Sequence, residues 1–398
     1  MPTQSRLPLL ILLLINFFSF ALITNIIGVL LPFWKDEFGL SSTVVSLLGS
    51  AFFLAYGITS LPQGVLIDKI GGKKTFFWAL FLVLVGSLAF ALFPNFPVGL
   101  FSLFVIGTGV TALQLIGNLL VKKIDDDASK YSRNLTLAQV LCGIGGSAGG
   151  VLIGLVSGNW TMLYYLFVLI SVLLTIFLIF TPIPESNQDA QQAKTQSPSL
   201  GDYLRLAQNP LMILFALGIF VYVGIEVGIA NWLSTFLVEM HTMNKVDAAK
   251  FVSLYWLLQS IGRFTGGIVL NFIDTSRALI LYAAACLISL LLAVFVPIPQ
   301  AAGWCFASVG FFTSIMFPSI FSLAVNSFDK SQEGTVAGIL CTTIVGGAVT
   351  TPLIGVISDT SGSLATGLVV SGAVSFIFIG IIGLRTLASK DLINARSN

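Results

Sequence analysis

The group in this sequence best placed to do chemistry is Glu226, the one acidic residue lying well inside a long apolar run, here Pro210–Val238. A carboxylate in such surroundings is costly and faces a cavity, a partner or an ion path. Three roles are open to it. It could bind and release a coupling ion, H+ or Na+; it could hydrogen-bond a polar solute; or it could be a structural group held by Asn25 or by a gap in backbone bonding. Asn25 stands 201 positions before it. Gln114 and Asn118 are spaced i, i+4, so a helix would set both amides on one face. Gln139, Asn231, Trp232, Tyr255, Trp256 and Gln259 complete a set of amides and aromatic rings inside apolar runs. Amides bond hydroxyls and ring faces take C–H surfaces, a pairing that suits a monosaccharide. Trp160 and Trp304 fall near the ends of such runs and read as an interfacial belt. Arg263 has two readings, a side chain snorkelling to a nearby helix end or half of a gate ion pair.

Two strings imitate other chemistries. Gly145-Gly146-Ser147-Ala148-Gly149 matches a nucleophile elbow, but that chemistry needs a general base. The one histidine, His241, falls in an expected outer loop. Gly107-x-Gly109-x-x-Ala112 imitates a dinucleotide fingerprint without the strand that must precede it. Cys142, Cys286, Cys305 and Cys341 lie in apolar runs with no paired spacing and read as packing residues. No enzyme activity, metal site or cofactor is expected.

The elements that must position these groups follow from composition. Hydrophobic residues make up 56% of the 398 and charged residues 9%, against about 25% charged in soluble domains. A hydrocarbon core about 30 Å thick is crossed by roughly 20 apolar residues in a helix. The apolar runs predict an all-α integral membrane protein with twelve transmembrane helices, near 8–33, 44–67, 75–93, 98–121, 135–157, 161–181, 210–238, 250–271, 277–296, 302–326, 334–357 and 363–385. The first run is too long for a signal peptide and has no small-residue cleavage site, so it is expected to be retained. A polar stretch, 182–209, is expected as a cytoplasmic linker between six-helix bundles at 1–181 and 210–398. Of the Lys and Arg residues, only Lys35, Lys245 and Lys250 fall in outer loops if the N-terminus is inside. The positive-inside rule then places both termini in the cytoplasm. The net charge of +2, scattered between apolar runs, implies no nucleic-acid partner. The expected surroundings are a lipid bilayer, with a bacterial inner membrane and a monomer as the simplest case.

The halves repeat one another. LIGLVS at Leu152–Ser157 returns as LIGVIS at Leu353–Ser358, 201 positions on, each preceded by a glycine pair, Gly145-Gly146 and Gly346-Gly347. GVLID at Gly64–Asp68 is echoed as GIVLN at Gly267–Asn271. Such repeats imply two pseudo-symmetric bundles with a solute site between them near the midplane.

Between the second and third runs the sequence reads Gly64-x-x-x-Asp68-Lys69-x-Gly71-Gly72-Lys73-Lys74. It resembles the loop signature of the major facilitator superfamily, in which an acid and several bases at a helix end can latch to the neighbouring bundle. Asp68, Lys69, Lys73 and Lys74 are the latch candidates here. A narrower resemblance, to the fucose:proton symporter family, rests on FFLAYGITSLPQGVLIDKIGGKK from Phe52, LTLAQ at Leu135–Gln139, YVGIEVGIANWL at Tyr222–Leu233, SLYWLLQSIGRFTGG at Ser253–Gly267 and SIMFPSIFSLA at Ser314–Ala324. This resemblance implies the major facilitator fold, alternating access and a monosaccharide substrate such as glucose, galactose or fucose. The sequence departs from the family in one respect that bears on coupling. Where the family's fourth helix carries an acid four positions before an asparagine, this chain has Gln114 and Asn118. The first helix reads Thr24-Asn25-Ile26-Ile27-Gly28, with no aspartate. Coupling by the family's usual route is therefore in doubt, and a uniporter fits as well as a symporter that uses Glu226.

Overall fold

A computed structural model describes residues 6–124, 128–183, 205–329 and 332–397. Most of the expected linker, 184–204, lies outside them. Every regular element among the described residues is a helix. The first half contains α1 (Arg6–Asn25), α2 (Ile27–Glu37), α3 (Ser42–Ile70), α4 (Gly72–Leu92), α5 (Phe96–Ile124), α6 (Ala128–Leu155) and α7 (Trp160–Phe180). The second contains α8 (Pro210–His241), α9 (Lys245–Val269), α10 (Thr275–Phe295), α11 (Pro299–Thr313), α12 (Met316–Val325), α13 (Glu333–Thr342), α14 (Gly346–Ser361) and α15 (Leu364–Ser397).

Ten rods among the described residues are long and apolar enough to cross a membrane. Three of these are jointed: α1 with α2 over Leu7–Glu37, α11 with α12 over Pro299–Val325, and the end of α13 with α14 over Gly338–Ser361. The remaining two of the expected twelve are α6 and α9, 28 and 25 residues long. In α6 the described apolar stretch is Val140–Leu155, and in α9 the charges Lys245, Asp247, Lys250 and Arg263 lower the apolarity. Large apolar side chains stand outward along the rods, among them Phe81, Phe101, Phe180 and Phe264. That is the surface acyl chains require.

The joints are where the structure departs from the expected unbroken helices. At Ser314–Ile315 the cause is Pro318, which has no N–H to give and whose ring crowds the carbonyl four residues back, that of Ser314. Ladder bonding resumes with Ser319 N–H donating to the Ile315 carbonyl at 3.0 Å. A 3-10 turn, Thr343–Val345, joins α13 to α14, shortly before Pro352. The first rod is divided at Ile26, a turn and a half before Pro32, but Ile26 keeps helical dihedrals (φ −69°, ψ −22°) and its N–H still donates to the Leu22 carbonyl at 3.1 Å.

By packing the chain forms two units. One is Met1–Leu40, Val44–Gln196 and Asn244–Ser253; the other is Ser41–Thr43, Ser197–Met243 and Leu254–Asn398. Each is held by close helix contact, since lipid tails are as apolar as leucine and association rests on packing and internal hydrogen bonds. In the first unit, a Cβ on Gly145 of α6 would overlap the Phe18 carbonyl of α1. In the second, a Cβ on Gly346 of α14 would overlap the Phe220 carbonyl of α8. The repeated glycines therefore make the same crossing twice, once in each unit. An aromatic cluster fills the first unit where α2, α4 and α7 meet, with the Phe90 ring 5.0 Å from Trp160 and 4.8 Å from Tyr164. Trp160, the first residue of α7, is buried against the protein, and its indole N–H donates to the carboxylate of Glu37, the last residue of α2. Trp304 is 55% exposed, as a belt residue would be.

Candidate functional site

Within the second unit, α8 sets Glu226 by its own register. Gly224 and Gly228, four residues apart, face α14 closely enough that a Cβ on Gly224 would strike Thr350 and one on Gly228 would strike Ile354. Glu226, two residues from each, projects from roughly the opposite side of the helix. The side chain is only 8% exposed. Tyr222, one turn earlier, donates its hydroxyl to Glu226 Oε1. Gln259 of α9 donates its amide N–H to the same oxygen, and the Tyr255 hydroxyl donates to the Glu226 backbone carbonyl at 3.1 Å. Two donors thus converge on Oε1, while Oε2 accepts no hydrogen bond among the described residues. A carboxylate with one oxygen satisfied and one open can receive a proton, a cation or a hydroxyl.

Aromatic rings surround it. Trp256 is half-buried, meets Tyr255 edge-on at 5.2 Å, and leaves its indole N–H without a partner. Phe317 of α12 lies 6.2 Å from Tyr222 and stacks on Phe321 at 5.9 Å. Reading the sequence missed Tyr222, Phe317 and Phe321 as site residues. The i, i+4 spacing of Tyr222 and Glu226 was the available signal for the first, and the spacing of Phe317 and Phe321 for the others.

Asn231 and Trp232 have a different environment. The Asn231 amide donates to Thr351 Oγ1 at 3.3 Å and the Trp232 indole to the Thr351 carbonyl at 2.9 Å. Trp232 and Tyr255 are fully buried. These side chains spend their donors tying helices together.

In the first unit, Asn25 is half-buried beside Gly146, whose missing side chain leaves room for the amide. The Thr24 hydroxyl donates to the Phe20 carbonyl at 2.7 Å. Gln114 is half-buried and Asn118 exposed; neither makes a hydrogen bond among the described residues. Asn16, not singled out from sequence, is fully buried, donates to the Leu113 carbonyl at 3.1 Å and leaves its own oxygen unpartnered. The side chain of Gln139 lies outside the described residues, as does that of Asp68. Around Asp68, Gly71 turns the chain with a positive φ of 84° that favours glycine. Lys73 donates to the Thr181 carbonyl at 3.0 Å and the Ile179 carbonyl at 3.4 Å, closing the C-terminus of α7 where cations are favoured. Lys69 and Lys74 are exposed. The hydroxyl of Ser147, in the elbow-like string, is spent on the Ile144 carbonyl at 2.9 Å. Among the described residues no three His, Cys, Asp or Glu side chains cluster to hold a metal.

Long apolar rods in two packed units, one with a buried carboxylate among aromatic and amide groups, define a multi-pass membrane transporter. A sequence profile described as Major Facilitator Superfamily matches residues 12–346, and the chain belongs to that superfamily. It is 32% identical over 392 residues to a glucose/galactose transporter of Brucella abortus, covering 93% of this chain and 92% of that one. It is 27% identical to the L-fucose-proton symporter of Escherichia coli, covering 91% and 90%. A crystal structure of the E. coli fucose:proton symporter matches with a TM-score of 0.64 and 25% identity, over 96% of this chain and 99% of that one.

Proposed function

We propose that this chain is a secondary transporter of a monosaccharide, a hexose such as glucose, galactose or fucose, working by alternating access and coupled to a cation through Glu226. Likeness to a glucose/galactose transporter and to an L-fucose-proton symporter, along nearly the whole of each chain, supports the substrate class. The observation that carries the coupling role is the half-satisfied carboxylate: Oε1 holds two donors, Oε2 holds none, and the residue is buried. Among the described residues Oε2 lacks a protein donor and is not one of the enclosed unpartnered oxygens, so it is open to an incoming proton, cation or hydroxyl, which an acid used only for packing does not need. With Gln114 where the family's acid would stand, Glu226 is the carboxylate left to bind H+ or Na+. Trp256, with its free indole N–H, and the Phe317–Phe321 pair supply a donor and apolar faces for a sugar ring. Asn25, Gln114, Asn118, Gln139 and Gln259 are the proposed amide contacts. The Asp68 loop is the proposed latch, and the Lys and Arg bias supports a plasma-membrane protein with both termini cytoplasmic. A facilitative uniporter is the second reading, favoured by Gln114 itself.

Purified protein in liposomes is expected to take up a labelled hexose, with an H+ or Na+ gradient driving accumulation that Glu226→Gln abolishes. Lack of flux across a hexose panel overturns the substrate class. Unchanged gradient dependence in Glu226→Gln returns that residue to a packing role and leaves the uniporter.

A further inference from the structure

The repeated strings LIGLVS and LIGVIS take no part in the carboxylate site, yet each is met by the start of another helix. Gly154, in the first copy, lies against the first turn of α9: a Cβ there would stand 3.3 Å from the Val246 side chain. Gly150, one turn earlier, leaves no room for a Cβ beside the Ala249 carbonyl, and its N–H donates to Ser253 Oγ at 2.9 Å. Gly355, in the second copy, lies against the first turn of α3, where a Cβ would stand 2.8 Å from the Ser42 carbonyl. Helices can approach this closely because glycine puts only a hydrogen between them. Both seated helices are shared by the two units. Ser41–Thr43 packs in the unit that holds Gly355, and Val44 onward in the other; Asn244–Ser253 packs in the unit that holds Gly154, and Leu254 onward in the other.

The two seats are fastened by different chemistry. Asp359 directly follows the second copy, and its carboxylate accepts from the Ser42 N–H at 3.2 Å and the Thr43 N–H at 2.8 Å. Those N–H groups are donors that a helix start leaves unused, and the helix dipole favours the negative charge beside them. At the other seat α9 caps itself, Asn244 Oδ1 accepting from the Val246 N–H at 2.8 Å. The fastening there is an ion pair between Lys245 and Asp36 at 2.5 Å, with the ammonium 5.3 Å from the Phe33 ring centre. The Asp36 side chain is 64% exposed, so water screens that pair. A carboxylate cap of two backbone bonds contributes more than an exposed ion pair. Both helix starts follow an odd-numbered span, which puts both seats on one face of the membrane, the outer one in the orientation proposed above.

We propose that the two copies of the repeat are releasable seats, which hold the starts of α3 and α9 while this face of the transporter is shut and free both together when it opens, with the Asp359 cap as the main fastening. This rests on the alternating access given above and is independent of the role of Glu226. The bodies of α3 and α9 are rods packed in the other unit, so movement between the units strips their first turns from the glycines. Release is cheap. A glycine seat exposes little apolar side chain when it is vacated, and at a membrane face water takes over the freed N–H groups and the carboxylate.

The test uses the full chain with Cys142, Cys286, Cys305 and Cys341 replaced by alanine. Thr43→Cys/Asp359→Cys puts a thiol on each side of the cap, and copper phenanthroline joins them. Oxidation is expected to abolish uptake of a labelled hexose, dithiothreitol to restore it, and neither single variant to respond. Unchanged uptake with the disulfide formed, as thiol titration shows, overturns the proposal, because the seat then stays closed throughout the cycle. Thiols that do not join overturn it as well, because the two ends are then not in contact. A second readout needs no sugar. Val246→Cys, at the α9 seat, is labelled with a membrane-impermeant maleimide in intact and in opened cells. Asp359→Ala, at the other seat, is expected to speed this labelling about fivefold, as the loss of one helix cap would. Asp36→Asn is expected to speed it about twofold or less. Unchanged labelling in Asp359→Ala makes the seats independent and overturns their joint release. If the cysteine-free parent takes up no hexose, the substrate class has failed, and labelling alone decides for or against the seats.

Discussion

Two tryptophans from the same short list of site candidates are put to opposite uses. The Trp232 indole is bonded to the Thr351 carbonyl and the ring is enclosed, whereas Trp256 is half-buried with its N–H unspent. Replacing Trp232 by Phe removes a buried hydrogen bond to a carbonyl that keeps its helical partner, and leaves a gap where the larger ring stood, a cost of about 1 kcal/mol. It is expected to lower the melting temperature while the KM for sugar in the remaining folded protein stays put. Trp256→Phe strands nothing in the protein. Because it removes an enclosed N–H that has no partner among the described residues, it is expected not to lower melting, and to raise KM several-fold, about 1 kcal/mol for one lost hydrogen bond to sugar. Detergent-solubilised melting curves and initial uptake rates separate the two, and a KM unchanged in Trp256→Phe removes that indole from the sugar site. The sequence placed both residues in the right helices. It did not show which one faced a neighbour's backbone, because residues 210–238 are apolar on every side and no polar stripe marks an outward face.

At the scale of the element, the glycine crossings are the feature most firmly tied to sequence. Gly145 and Gly346 sit 201 positions apart and meet equivalent backbone carbonyls, Phe18 and Phe220, within their own units. Leucine at either position must push two helix backbones apart, since a carbonyl cannot move aside as a side chain can. The expected cost is about 1–3 kcal/mol or more, read as a lowered melting temperature. Gly267→Ala, where a Cβ meets nothing within 4 Å, is expected to change melting little. Equal stability of the two classes would mean that the crossings are loose. The joints were less legible. Hydropathy sees one apolar run over Pro299–Val325, yet the backbone parts at Ser314–Ile315. Pro318 was in view, but a proline's effect falls one turn upstream of itself and leaves hydropathy unchanged.

For the molecule as a whole, the asymmetry of Lys and Arg predicts that tags at both termini are reached by a membrane-impermeant reagent only after cells are opened. Labelling of either tag in intact cells would reverse the proposed orientation, while the family and the helices would stand. The helical type of the elements, their membrane-spanning length and the superfamily were legible in the sequence alone. The physical reason is that a bilayer imposes one length and one composition on every span, and a linear string carries both. The convergence of Tyr222 and Gln259 on one oxygen of Glu226 and the diversion of Trp232 and Asn231 into helix packing were decided only by tertiary structure. Each depends on the rotation of one helix against another. That rotation is set by where small residues let backbones touch, a sum over many contacts that no single stretch of sequence contains.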